Sequence, residues 1–148
     1  MKTNRFLPLR TLLRAALLLT VAGAATLRAE TYTLFIYETA TDLAARTDEK
    51  RGPAYWEAFA AYGNQLKEAG VLRGGSALQA GEQAIVVERS EGRRTLMKGA
   101  YAKTPTQLGG YFIIDVANLD AAIEWAGRAP NAGTGAVEVR PAFPSPGM

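Results

Sequence analysis

Between Thr95 and Pro141 a loop, an apolar run, a helical-period segment and a last apolar-alternating segment follow one another with almost no spacer. Gly109 to Val116, which contains Tyr111-Phe112-Ile113-Ile114, is the strongest strand candidate of the chain. Asn118 stands where an N-cap belongs, Leu119, Ala122, Ile123 and Ala126 share one helical face, and Pro130 ends that segment. Gly135 to Arg140 then reads as a strand. So tight a strand-helix-strand order leaves room for little except a helix packed back onto its own sheet.

The same grammar precedes it. Tyr32 to Tyr37 is aromatic and β-branched enough for a first strand, and its continuous apolarity predicts burial on both faces. Glu38 to Gly52 is polar and without sustained period, which predicts a loop with at most one helical turn. Pro53 suits the first turn of a helix, Trp56, Phe59, Gly63 and Leu66 recur at helical spacing, and Gly70 supplies the stop. Glu57, Gln65, Lys67 and Glu68 belong to its solvated side. Val71 to Gln79 predicts a strand interrupted by Gly74-Gly75, and Ile85–Glu88 with Thr95–Met97 a hairpin around Ser90-Glu91-Gly92-Arg93.

Strand, helix, strand, hairpin, strand, helix, strand with two right-handed crossovers is an α+β, ferredoxin-like sandwich. Its antiparallel sheet carries both helices on one face. The other face then needs a cover, and a second copy of the chain is the simplest one.

Residues 1–29 read differently. Lys2, Arg5, Arg10 and Arg14 precede an apolar run from Ala15 to Leu27, and no acidic residue occurs before Glu30. That order predicts a signal peptide, cleaved between Ala24 and Ala29, and a run too short to cross a bilayer. The expected organisation is a signal at 1–29, one domain at 30–141 and a loose tail at 142–148, with the mature protein periplasmic or secreted. Removing the signal leaves 12 basic against 14 acidic residues, a net charge of −2 in place of +3. The basic balance of the whole chain therefore argues for neither nucleic acid nor an acidic membrane as a partner.

Cysteine and histidine are both absent, which excludes disulfides, thiol chemistry and Cys/His zinc sites. Asp48-Glu49 lacks calcium-loop spacing, and neither Gly74-Gly75 nor Gly109-Gly110 fits a phosphate loop, so no metal or cofactor is expected.

Lys98-Gly99-Ala100-Tyr101, Leu108-Gly109-Gly110-Tyr111, Ala122-Ile123-Glu124-Trp125-Ala126, Pro130 and Val137-Glu138-Val139-Arg140-Pro141, taken in this order, resemble the YCII-related family. The resemblance is to its branch named for an Asp-Gly-Pro-Phe motif, and it implies a dimeric α/β barrel. This chain departs at the motif itself: Lys98 stands for the Asp and Ala100 for the Pro, and aromatic character survives as Tyr101. The resemblance also implies, for enzymes of the wider family, a His-Asp pair for proton transfer. A chain without histidine cannot use it.

Carboxylates remain as general-base candidates, chiefly Glu38 and Asp115 at strand ends, with Tyr101 as partner; each needs a raised pKa to act near neutrality. The competing role is a strand-end carboxylate paired with arginine. Tyr37, Glu38, Lys98 and Tyr101 are the ligand-binding candidates, the phenols offering hydroxyls and Lys98 a charge for an anion. These features predict an exported homodimer that binds a small molecule. An isomerase- or lyase-like enzyme built on a carboxylate and a tyrosine is the alternative, and an envelope interaction module using residues 38–52 the third.

Overall fold

The computed structural model describes residues 29–144. The predicted signal at 1–29, apart from its last residue, and the tail beyond Pro144 lie outside them.

A four-stranded antiparallel sheet is built from β1 (Glu30–Glu38), β2 (Leu72–Ala77), β5 (Gln107–Val116) and β6 (Ala136–Pro141), in the order β2-β5-β1-β6. Helices α1 (Ala40–Ala45), α2 (Gly52–Glu68) and α3 (Leu119–Gly127) fill the connections, and a short 3-10 turn spans Gly81–Gln83. Among the described residues, strands β3 (Ile85–Ser90) and β4 (Arg93–Lys98) pair with each other alone, as a separate two-stranded sheet. The chain is α+β, with the order of a ferredoxin-like sandwich and a hairpin inserted between its second and third strands.

Strand alternation decides the layers. Tyr32, Leu34, Ile36 and Glu38 of β1 are buried while Thr31, Thr33, Phe35 and Tyr37 are half-buried, so the expected burial on both faces is complete on the helix side and partial on the other. Leu34, Ile36, Ile114 and Val116 form the core with Tyr62 and Leu66 of α2 and Ala122 and Ala126 of α3. The Tyr62 ring meets Phe112 edge-on at 5.2 Å, and its hydroxyl donates to the Trp125 carbonyl at 2.9 Å. Desolvation there pushes the phenol up to about 12.

The stripe of α2 that faces the sheet is Tyr55, Phe59, Tyr62 and Leu66; it shares Phe59 and Leu66 with the predicted stripe and has Tyr55 and Tyr62 in place of Trp56 and Gly63, and Trp56 is 43% exposed. The predicted loop 38–52 contains α1. Thr39 accepts from the Asp42 N–H and Asp42 accepts from the Thr39 N–H, a capping box strong enough to start a helix in a polar segment. Asp48 accepts from the backbone N–H groups of Arg51 and Lys50 and turns the chain into α2. Those two hydrogen bonds hold its carboxyl below the usual range. After Pro141 the chain still returns one bond, Ala142 N–H to Thr31 O at 2.8 Å.

One irregularity positions everything that follows. Ile36 pairs with Gly110 but Tyr37 pairs with Leu108, so Gly109 is an extra, bulged residue of β5.

Candidate functional site

Glu38 ends β1 on the helix side and is fully buried. Arg46, just past α1, donates through Nη2 to the Glu38 carboxylate and, at 2.7 Å, to the carbonyl of bulged Gly109. Its Nη1 donates to Leu78 O at 2.6 Å and its Nε to the Tyr55 hydroxyl at 3.1 Å. Tyr55 in turn donates to the other oxygen of Glu38. The guanidinium lies 5.7 Å from the ring centres of both Tyr55 and Trp56, and the Trp56 indole N–H donates to Arg46 O at 3.0 Å.

A buried carboxylate is tolerated only when paired and hydrogen-bonded, and here both of its oxygens have donors. Gly109 makes the arrangement possible: any Cβ at that position would overlap the Glu38 carboxylate. Burial first, and then the carboxylate beside it, push the Tyr55 phenol well above its ordinary value, so it stays a hydrogen-bond donor.

Asp115 sits at the far end of the same two strands, seven residues of β1 away, or about 24 Å at the rise of an extended chain. It lies on the opposite face of the sheet and accepts from Thr31 at 2.6 Å and from Arg73 at 2.7 Å. The Thr31 hydroxyl, and after it the Arg73 guanidinium, keep its carboxyl below the ordinary range.

Two candidates do come together. Tyr37 and Tyr101 line one cavity of about 500 Å³ at the open end of the sheet, with Leu78, Gln79, Gln83, Thr104, Gln107 and Leu108. The loops on either side of the hairpin build it, held by a hydrogen bond from Gly99 N–H to Ala84 O and another from Gly81 N–H to Gln107 Oε1. Gly81 is the residue that fits there, since a Cβ would come within 2.9 Å of the Ala100 methyl. Desolvation, followed by Glu138, pushes the Tyr37 phenol up. Glu38, Asp115 and Lys98 are not in its wall, and among the described residues no charged side chain is. Lys98 ends β4 in solvent.

The four ligand-binding candidates, Tyr37, Glu38, Lys98 and Tyr101, are thus divided among three places: Tyr37 and Glu38 part because neighbouring residues of a strand face opposite sides, and Lys98 stands apart at the end of the hairpin. Sequence reasoning missed Arg46 and Tyr55, which hold Glu38, and the three glutamines of the cavity. A stripe at Tyr55, Phe59, Tyr62 and Leu66 was the available signal for the first of these.

The fold and these sites define a small ferredoxin-like α+β domain whose carboxylate-arginine pairs brace the sheet and whose mainly apolar cavity carries a few neutral polar groups. The chain belongs to the YCII-related domain family, whose model matches residues 31–145. It is similar to an uncharacterised protein of Rhizobium meliloti (strain 1021), 40% identical over 76 residues that cover 50% of this chain. The match spans 61% of that relative's length.

Proposed function

We propose that this YCII-related domain binds a small uncharged molecule in the cavity beneath Tyr37 and Tyr101, as an exported homodimer without His-Asp proton transfer. The observation that carries the proposal is the cavity's wall. Two phenols, three carboxamides and the Thr104 hydroxyl provide donors and acceptors among apolar groups, in a space of about 500 Å³. That is the size and chemistry of a small-molecule site. A net charge in such a ligand would find no opposite charge in the wall.

Export is supported by the basic-then-apolar order of residues 2–27. Dimerisation is supported by the face opposite the helices, where the apolar side chains of Phe35, Tyr111 and Ile113 are only half-buried. The alternative catalytic reading gains little, since both oxygens of Glu38 are engaged and Asp115 lies at the other end of the sheet. The interaction-module reading used residues 38–52, which instead fold as α1 and hold Arg46 against the sheet.

Thermal unfolding with coumarin, a neutral lactone, against benzoate tests it. Coumarin at ten times its Kd should raise Tm by about 4 °C or more. Replacing Tyr37 by Ala should remove the shift. Failure of coumarin and of other neutral lactones and amides of that size to stabilise the domain would count against the proposal, as would equal stabilisation by benzoate.

A further inference from the structure

A second cavity, of about 220 Å³, lies across the sheet from the first, between α2 and the β2–β5 edge. Ile36 and Tyr37 are neighbours in β1, yet Ile36 lines this cavity and Tyr37 the other. Phe59 and Phe112 give it apolar walls, and Tyr55, Trp56 and Arg46 line it as well.

The chemistry around Arg46 selects what can enter. Arg46 commits Nε to Tyr55, Nη1 to Leu78 O and Nη2 to Glu38 and Gly109 O. One N–H of Nη1 has no acceptor among the described residues. Glu38 lies outside the cavity wall and already neutralises the guanidinium. A carboxylate entering the cavity would leave the cluster with a net negative charge in apolar surroundings, at a desolvation cost of several kcal/mol. A neutral carbonyl needs one donor and brings no charge.

A dry cavity of about 150 Å³ suffices for a benzene ring. At about 220 Å³ the space here is large enough for one six-membered ring with a carbonyl substituent, and Trp56, Phe59 and Phe112 are among its lining residues.

We infer that this cavity is a binding site for a small neutral ring bearing a carbonyl or carboxamide, read by Arg46 and walled by Trp56 and Phe59. It is independent of the cavity under Tyr37, and its ligand is chosen by a guanidinium whose charge is already spent.

Trp56 supplies the readout. Titrating the full chain with benzamide should change indole emission saturably, with a Kd of about 1 mM. Benzoate, its anionic isostere, should bind at least about tenfold more weakly, a contrast read on the unaltered chain. In Ala77→Phe, at an exposed position of edge strand β2 in the cavity wall, the benzamide response should be lost. Tyr37→Ala, across the sheet, should leave it intact while abolishing coumarin binding. The inference is overturned if benzamide gives no saturable change, if benzoate binds as tightly, if Ala77→Phe responds like the parent, or if Tyr37→Ala removes the response.

Discussion

The two ends of the β1–β5 ladder carry the same constellation in opposite settings. At one end Glu38 takes an arginine and a tyrosine hydroxyl; at the other Asp115 takes an arginine and a threonine hydroxyl. The Glu38 side chain is wholly buried, whereas that of Asp115 is 23% exposed and that of its partner Arg73 49%. Identical chemistry therefore does two jobs. Inside the sandwich, removing one partner strands a buried charge; at the rim, water replaces the lost partner.

Glu38→Ala breaks this comparison most sharply. It should lose about 3–5 kcal/mol in urea unfolding, because Arg46 is left buried without its counter-charge. Gly109→Ala should cost about 1–3 kcal/mol by displacing the Glu38 carboxylate from the space that glycine leaves. Tyr55→Phe keeps the ring and removes one donor to a charged acceptor, for about 1.5–2 kcal/mol.

Asp115→Asn should cost less than about 1 kcal/mol near neutrality. Its folded pKa lies below the unfolded one, so the pair's contribution is complete above about pH 4 and fades as pH falls through the folded value. Parent and Asp115→Asn stabilities, measured from pH 7 down to about pH 2, should therefore converge at the acid end. A double-mutant cycle completes the contrast, with coupling above about 1.5 kcal/mol for Glu38–Arg46 and below about 1 kcal/mol for Asp115–Arg73.

Much of the scaffold could be read from the chain because it rests on local periodicity. The Tyr111–Ile114 run, the Asn118 cap and the Glu91-Gly92 turn, both residues with positive φ, act over a few residues. The short helix α1 was hidden by polarity although its Thr39-to-Asp42 capping box is written in the sequence. The Glu38 network was half legible. A carboxylate at a strand end is visible, but its partners arrive from 8 and 17 residues away and its space is made by a glycine 71 residues on. The cavity shows the same limit: its two phenols stood out, while Gln79 in a loop, Gln83 in the 3-10 turn and Gln107 at the start of β5 carry no local signal that the fold brings them to Tyr37.

That neck has a consequence of its own. Where Gly99 N–H meets Ala84 O at 2.8 Å, the chain leaves and re-enters the domain at adjoining points, and β3 and β4 bond to no other strand among the described residues. Residues 85–98 should therefore be removable, and a short Asn-Gly turn spliced between Ala84 and Gly99 should yield a domain that keeps its sheet and loses the exposed Ile85, Val87, Leu96 and Met97 side chains.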